Sequence, residues 1–183
     1  MSLRTQMTTL KIPRFPVHIV MRRTPLVSRW ADEKWAPWGI EIAGVPQDDL
    51  DVVAAPPVCF RDDAEMTLWR FAGFALEIHR SEGEGYYLNV REDAPQVFVM
   101  WRRDDRRTPP VYPVFATVSY HEAARSMDGG ETVDPVPMPI EILAWLDAYV
   151  AANYTPEVKG KRRRVGPYAD APPVGANAPR RES

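Results

Sequence analysis

Cysteine is almost missing from this chain. Cys59 is the only one in 183 residues. An intramolecular disulfide is thereby excluded, as are a Cys-x-x-Cys redox site and an all-cysteine iron–sulfur ligand set. A lone thiol fits a reducing, cytoplasmic setting. Its neighbours Pro56, Pro57, Val58 and Phe60 predict a buried, inert thiol. Histidine is scarce as well: His18, His79 and His121 are the only three. No apolar run reaches the ~18 residues of a membrane span. The first fifteen residues lack the apolar core of a signal peptide, so none is expected. Gly83 and Gly85 lack the following helix that a phosphate-cradling loop requires. Asp48-Asp49-Leu50-Asp51 lacks the spacing of a calcium loop.

Proline and tryptophan are abundant instead, with 19 and six residues. The prolines cut the chain into many short elements, and the tryptophans supply bulky core or interface anchors. The length suits one domain with a real core. Charge is uneven. Residues 155–183 carry seven Lys or Arg against three Asp or Glu, a net of +4. Residues 1–154 therefore carry −6 of the total −2. An acidic body is a poor nucleic-acid platform, and any polyanion binding would belong to the tail. The expected organisation is a flexible start at 1–13, one domain at 14–154 and a disordered Pro/Arg-rich tail at 155–183.

Alternation predicts strands at Phe15–Met21, Trp38–Ala43, Met66–Ala72, Phe74–Arg80, Tyr86–Val90, Val97–Trp101 and Val111–Val118. Phe15, Val17, Ile19 and Met21 share one face, and Pro16 suggests a strand start or an edge. A turn of helix is expected near Ala31–Lys34. Gly73 marks a bulge or turn, and Ser81–Gly85 reads as a hairpin loop. Val97–Trp101 is apolar on both faces and should be central. Pro113 points to an edge or bulge. Then the period changes. Ser119 and Glu122 match a capping box for a helix at Tyr120–Met127, stopped by Gly129-Gly130. After Val133–Pro139, the stripe Ile142, Leu143, Leu146, Tyr149, Val150 predicts a second helix, with Pro139 as its first residue and Pro156 beyond its end. The fold class is α+β: a mostly antiparallel sheet or partly closed barrel of about six or seven strands, with C-terminal helices.

No catalytic constellation is visible. His79 with Glu77, Glu82 and Glu84 is the nearest approach to a metal cluster. A closed zinc site wants more His or Cys, so a solvated strand face is the better reading and no cofactor is expected. Ser119 is better explained as a helix cap than as a nucleophile. At least two of Trp30, Trp35 and Trp38 should be core anchors. Trp30 and Trp35 remain interface candidates, together with the basic run Lys161, Arg162, Arg163 and Arg164. That run could bind a polyanion, but it holds no aromatic platform, so nucleic acid is not favoured.

Several stretches together resemble one bacterial family of unknown function. They are Arg29–Trp35, Leu76–Arg80 with Tyr86, Leu88 and Asn89, Thr117–Ala123, Val133–Pro139 and Lys161–Arg164. Its members are found chiefly in proteobacteria, in gene neighbourhoods of molybdenum-dependent formate dehydrogenase. The resemblance implies an accessory, assembly or regulatory role, with dehydrogenase subunits or their maturation factors as partners. It transfers no catalytic residue. The expectation is therefore a non-catalytic accessory protein. The alternatives are a small metal-dependent hydrolase around His79 and tail-driven polyanion binding. The absence of a Cys pair argues against a sulfur-donating maturation factor.

Overall fold

The alternation at Phe15–Met21 belongs to a longer strand than the sequence pattern marks out. In a computed structural model describing residues 11–29 and 31–156, β1 spans Pro13–Pro25. It pairs antiparallel on both sides, with β2 (Glu33–Ile42) and with β5 (Thr67–Glu77). Two short strands complete the sheet: β3 (Gln47–Asp48) against the start of β1, and β4 (Val58–Asp62) against β5. A second sheet has β6 (Gln96–Arg103) between β7 (Val111–Thr117) and β8 (Thr132–Pro137), also antiparallel. Three helices follow the chain: α1 (Gly83–Val90), α2 (Tyr120–Asp128) and α3 (Ile140–Asn153). Among the described residues, no helix is long and apolar enough to cross a membrane.

One core lies between the two sheets and α3. Phe15, Val17, Ile19 and Met21 of β1 meet Val97 and Val99 of β6 and Ile142, Leu146 and Val150 of α3. Fully burying an Ile or Leu is worth about 2–3 kcal/mol, so this row anchors a helix that would be marginal alone. Trp145 adds an edge-on contact with Phe15 at 5.3 Å between ring centroids. β6 is central and buried, as its doubly apolar sequence predicts.

Several expectations are corrected. The architecture is two sheets and not a partly closed barrel. β2 and β8 come close without pairing, and Pro37, Pro135 and Pro137 deny that seam backbone donors. β1 is central, so Pro16 does not mark a sheet edge; it lies near the beginning of the strand, three residues after Pro13. No helical turn forms at Ala31–Lys34, because β2 starts at Glu33. Its period is broken where Val20 pairs with Gly39 and Met21 with Pro37, leaving Trp38 as the extra residue of a bulge. Ser81–Gly85 is not a hairpin loop and Tyr86–Val90 is not a strand. A 3-10 turn at Arg80–Glu82 runs directly into α1. Val133–Pro139 supplies most of strand β8 before α3 begins. Pro139 precedes α3 as its cap, and its carbonyl accepts from the Leu143 N–H at 3.0 Å. Cys59 lies exposed on β4 instead of buried.

Gly73 does form a bulge. Val17 pairs with Phe74 and Ile19 with Phe71, so β5 carries one extra residue there. Its φ is +86°, and a Cβ would lie 2.5 Å from the Ala54 Cα of the segment that joins β3 to β4. Gly73→Ala should therefore lower unfolding free energy in urea by more than about 2 kcal/mol. Gly39→Ala meets nothing within 4 Å and should change stability by less than about 0.5 kcal/mol.

Candidate functional site

The polar groups singled out in the sequence gather at one pole, where the end of β5, the 3-10 turn, α1 and α2 meet. Glycine makes the approach close. A Cβ on Gly85 would stand 2.5 Å from Ser119 Oγ, and one on Gly83 would stand 2.8 Å from the Tyr154 ring. Tyr86 and Asn89, three residues apart, then turn inward from α1 and are fully buried. The Asn89 amide nitrogen donates to the carbonyls of Gln96 (2.7 Å) and Val118 (2.8 Å), and its oxygen accepts from the Gln96 N–H at 3.0 Å. One side chain thus ties α1 to the start of β6 and to the residue that follows β7. The Tyr86 hydroxyl accepts from the His79 N–H at 2.9 Å, and burial pushes its pKa far up.

Ser119 caps α2, accepting from the Glu122 N–H at 3.2 Å. The box is closed indirectly. The Ser119 N–H donates to Thr117 Oγ1 (3.0 Å), and that hydroxyl donates to Glu122 Oε2 (2.6 Å). The Ser119 hydroxyl donates to buried Glu82 at 2.6 Å, and Arg125 donates to the other Glu82 oxygen at 2.7 Å. Burial alone would raise the Glu82 pKa. The Ser119 and Arg125 hydrogen bonds and the nearby positive charge outweigh it and hold the carboxyl below its usual range.

This wiring separates the metal candidates. Glu77 and His79 stay together, with His79 Nε2 3.2 Å from Glu77 Oε2, while Arg14 takes the other Glu77 oxygen at 2.7 Å. Glu82 is turned away into α2, where both its oxygens are occupied. Among the described residues, no group of three His, Cys, Asp or Glu can hold a metal ion. Ser119 is fully buried and committed as a cap, so it offers no nucleophile to a substrate. The arrangement is chemically a docking joint for α1 and α2.

A family model described as a protein of unknown function (DUF3305) matches residues 16–163. The chain belongs to that family. No curated protein matches it, and no solved structure matches it. The DUF3305 span opens in β1 and includes both sheets and all three helices, so both the pole and the sheet edges lie within it.

The interface candidates divide. Trp30 and the run Lys161, Arg162, Arg163 and Arg164 lie outside the described residues. Trp35 is a core residue, 7% exposed, and its ring N–H donates to Glu33 at 2.7 Å. Trp35 is thereby withdrawn from a surface role. Among the described residues the exposed tryptophan is Trp38, with Arg22 stacked 4.4 Å from its ring centroid. Sequence reading missed β4 altogether. Its only available signal was Phe60 beside Val58, and its five residues are all exposed.

The paired Glu82 carboxylate makes stability depend on pH. Its folded pKa lies below the ordinary 4.5. Its contribution is therefore fully present above that value and is lost as pH falls through the folded pKa. Urea titrations in a pH series should show wild-type stability dropping below about pH 4.5. Glu82→Gln should be about 2 kcal/mol less stable at neutral pH and should lack that portion of the acid loss.

Proposed function

We propose that the protein is a non-catalytic docking module that receives an extended segment of a partner along the free edge of β4. The observation that carries this reading is the contrast among its sheet edges. β2, β7 and β8 are blunted by prolines within the strand: Pro37, Pro113, and Pro135 with Pro137. β2 and β8 also lie against each other. β4 contains no proline, pairs among the described residues only with β5, and exposes Val58 (54%) and Phe60 (44%). An unpaired strand edge offers a row of N–H and C=O groups whose natural complement is another extended backbone. Arg70, stacked 4.9 Å from the Phe60 ring centroid and held by Glu41, fixes an aromatic–guanidinium anchor beside that edge. Such residues dominate binding energy at interfaces.

The partner class comes from the resemblance, whose gene neighbourhoods point to formate dehydrogenase subunits or their maturation factors. A cytoplasmic accessory role is consistent with a single thiol and no disulfide. The polar pole supports the non-catalytic part, since Ser119 and Glu82 are consumed in holding helices together.

The test is co-purification of the tagged full chain from its native host. Dehydrogenase subunits or maturation factors should be retained by the wild type and by Val27→Asp, whose site is exposed and lies beyond the end of β1, two strands from β4 in the sheet order. Phe60→Asp should reduce retention at least about fivefold. Full retention by Phe60→Asp would remove β4 as the docking edge. Normal dehydrogenase activity and cofactor content in a deletion strain would remove the partner.

A further inference from the structure

Positive charge on this molecule is mostly answered. Among the described residues, nine arginines lie within ion-pair distance of a carboxylate. Arg22 and Arg91 lie over aromatic rings instead. Arg29 and Arg80 have neither kind of partner, and the lysines Lys11 and Lys34 also lack a carboxylate. Two of these four cations, Arg80 and Lys11, meet at one cleft of about 650 Å³.

The cleft lies between the start of β1, the 3-10 turn and the C-terminal half of α3. Ile12, Pro13 and Ile78 give it an apolar wall, and Ser81 and Tyr149 bring hydroxyls. Burial raises the Tyr149 pKa while the Arg80 charge works against it, so the guanidinium stands near that phenol. His79 also lines the cleft, with its Nε2 engaged by Glu77. Asp48 is the one carboxylate on the wall, and it forms no ion pair with Lys11 or Arg80. Donors outnumber acceptors here, and the volume suits a small ligand.

We propose that this cleft binds a phosphate monoester. Arg80 and Lys11 face the phosphate oxygens, Ser81 and Tyr149 donate from their hydroxyls, and the organic body lies along Ile12, Pro13 and Ile78. A guanidinium fork and an ammonium together match the ~2 charges and three acceptor oxygens of a phosphate better than the single charge of a carboxylate. The site is separate from the β4 edge and stands or falls independently of it.

Calorimetry on the full chain tests it, with phenyl phosphate as the probe and benzoate as the carboxylate comparator. Phenyl phosphate should bind, and benzoate should bind at least about tenfold more weakly. Arg80→Ala and Lys11→Ala should each weaken phenyl phosphate binding at least about tenfold. Both side chains are exposed, so neither substitution threatens the fold. Lys34→Ala, which removes an equally unpaired cation elsewhere, should change nothing. The combined variant Lys161→Gln, Arg162→Gln, Arg163→Gln, Arg164→Gln should also bind as the wild type does. Absence of phenyl phosphate binding would overturn the proposal. So would binding that survives Arg80→Ala but disappears in the tail variant, since the basic run would then be the site. Equal affinity for benzoate would overturn the phosphate assignment.

Discussion

The inward row of β1 is the surface on which the rest of the core is laid. Phe15, Val17, Ile19 and Met21 are all essentially dry. They touch both sheets and α3, and their strand is held on both edges. A slip of one residue would turn the whole row outward and put Pro16, His18, Val20 and Arg22 inside. Register is therefore set by this row, with Pro16 and Val20 of the other face also covered, and locked by two pairings. The bulges at Trp38 and Gly73 then adjust the neighbours to it. Each lies on the strand beside β1, so the irregularity is absorbed outside the row that cannot tolerate it.

That constraint explains which elements could be read from sequence. β1 and β6 are legible because burial leaves a clean pattern. α2 is legible because capping chemistry is local: Ser119 and Glu122 announce the turn whatever it packs against. α3 is legible from Ile142, Leu146 and Val150. α1 was not, because Gly83 and Gly85 resemble a hairpin loop while serving another purpose. They let a helix approach Tyr154 and Ser119 closer than any Cβ allows. Such a requirement lives in residues 34 to 71 positions away, and no local pattern carries it. β4 failed for the opposite reason. All five of its residues are exposed, so it has no alternation to show.

The candidate site divides along the same line. Sequence adjacency grouped Glu77, His79 and Glu82 as one acidic–imidazole cluster. A buried carboxylate without a partner is expensive, and this physical fact decides where Glu82 goes. Ser119 and Arg125, 37 and 43 residues away, meet that requirement. Once Glu82 is paired inside the α2 joint, it is lost to any metal at His79. Ser119 as a cap fits this pairing, whereas a ligand role for Glu82, already disfavoured by the sequence against a solvated strand face, is excluded by it. Trp35 follows the same logic: its ring N–H needs an acceptor when buried, and Glu33 two residues earlier provides one.

Satisfied polar groups hold a structure together; unsatisfied ones are what it has left to offer. Most charges here belong to the first class, including several exposed pairs that add little to stability. What remains is narrow. β4 keeps a backbone edge that no proline blunts, and Arg80 and Lys11 keep charges that no described carboxylate answers. Arg80 follows His79 directly in sequence and shares the cleft with it, yet only His79 has a carboxylate partner. His79 is bound to Glu77 on β5, while Arg80 opens the 3-10 turn and leaves the sheet. The turn into α1 places Arg80 at the cleft beside Tyr149. The helix with the weakest local signal is thus entered through the turn that carries this unanswered cation.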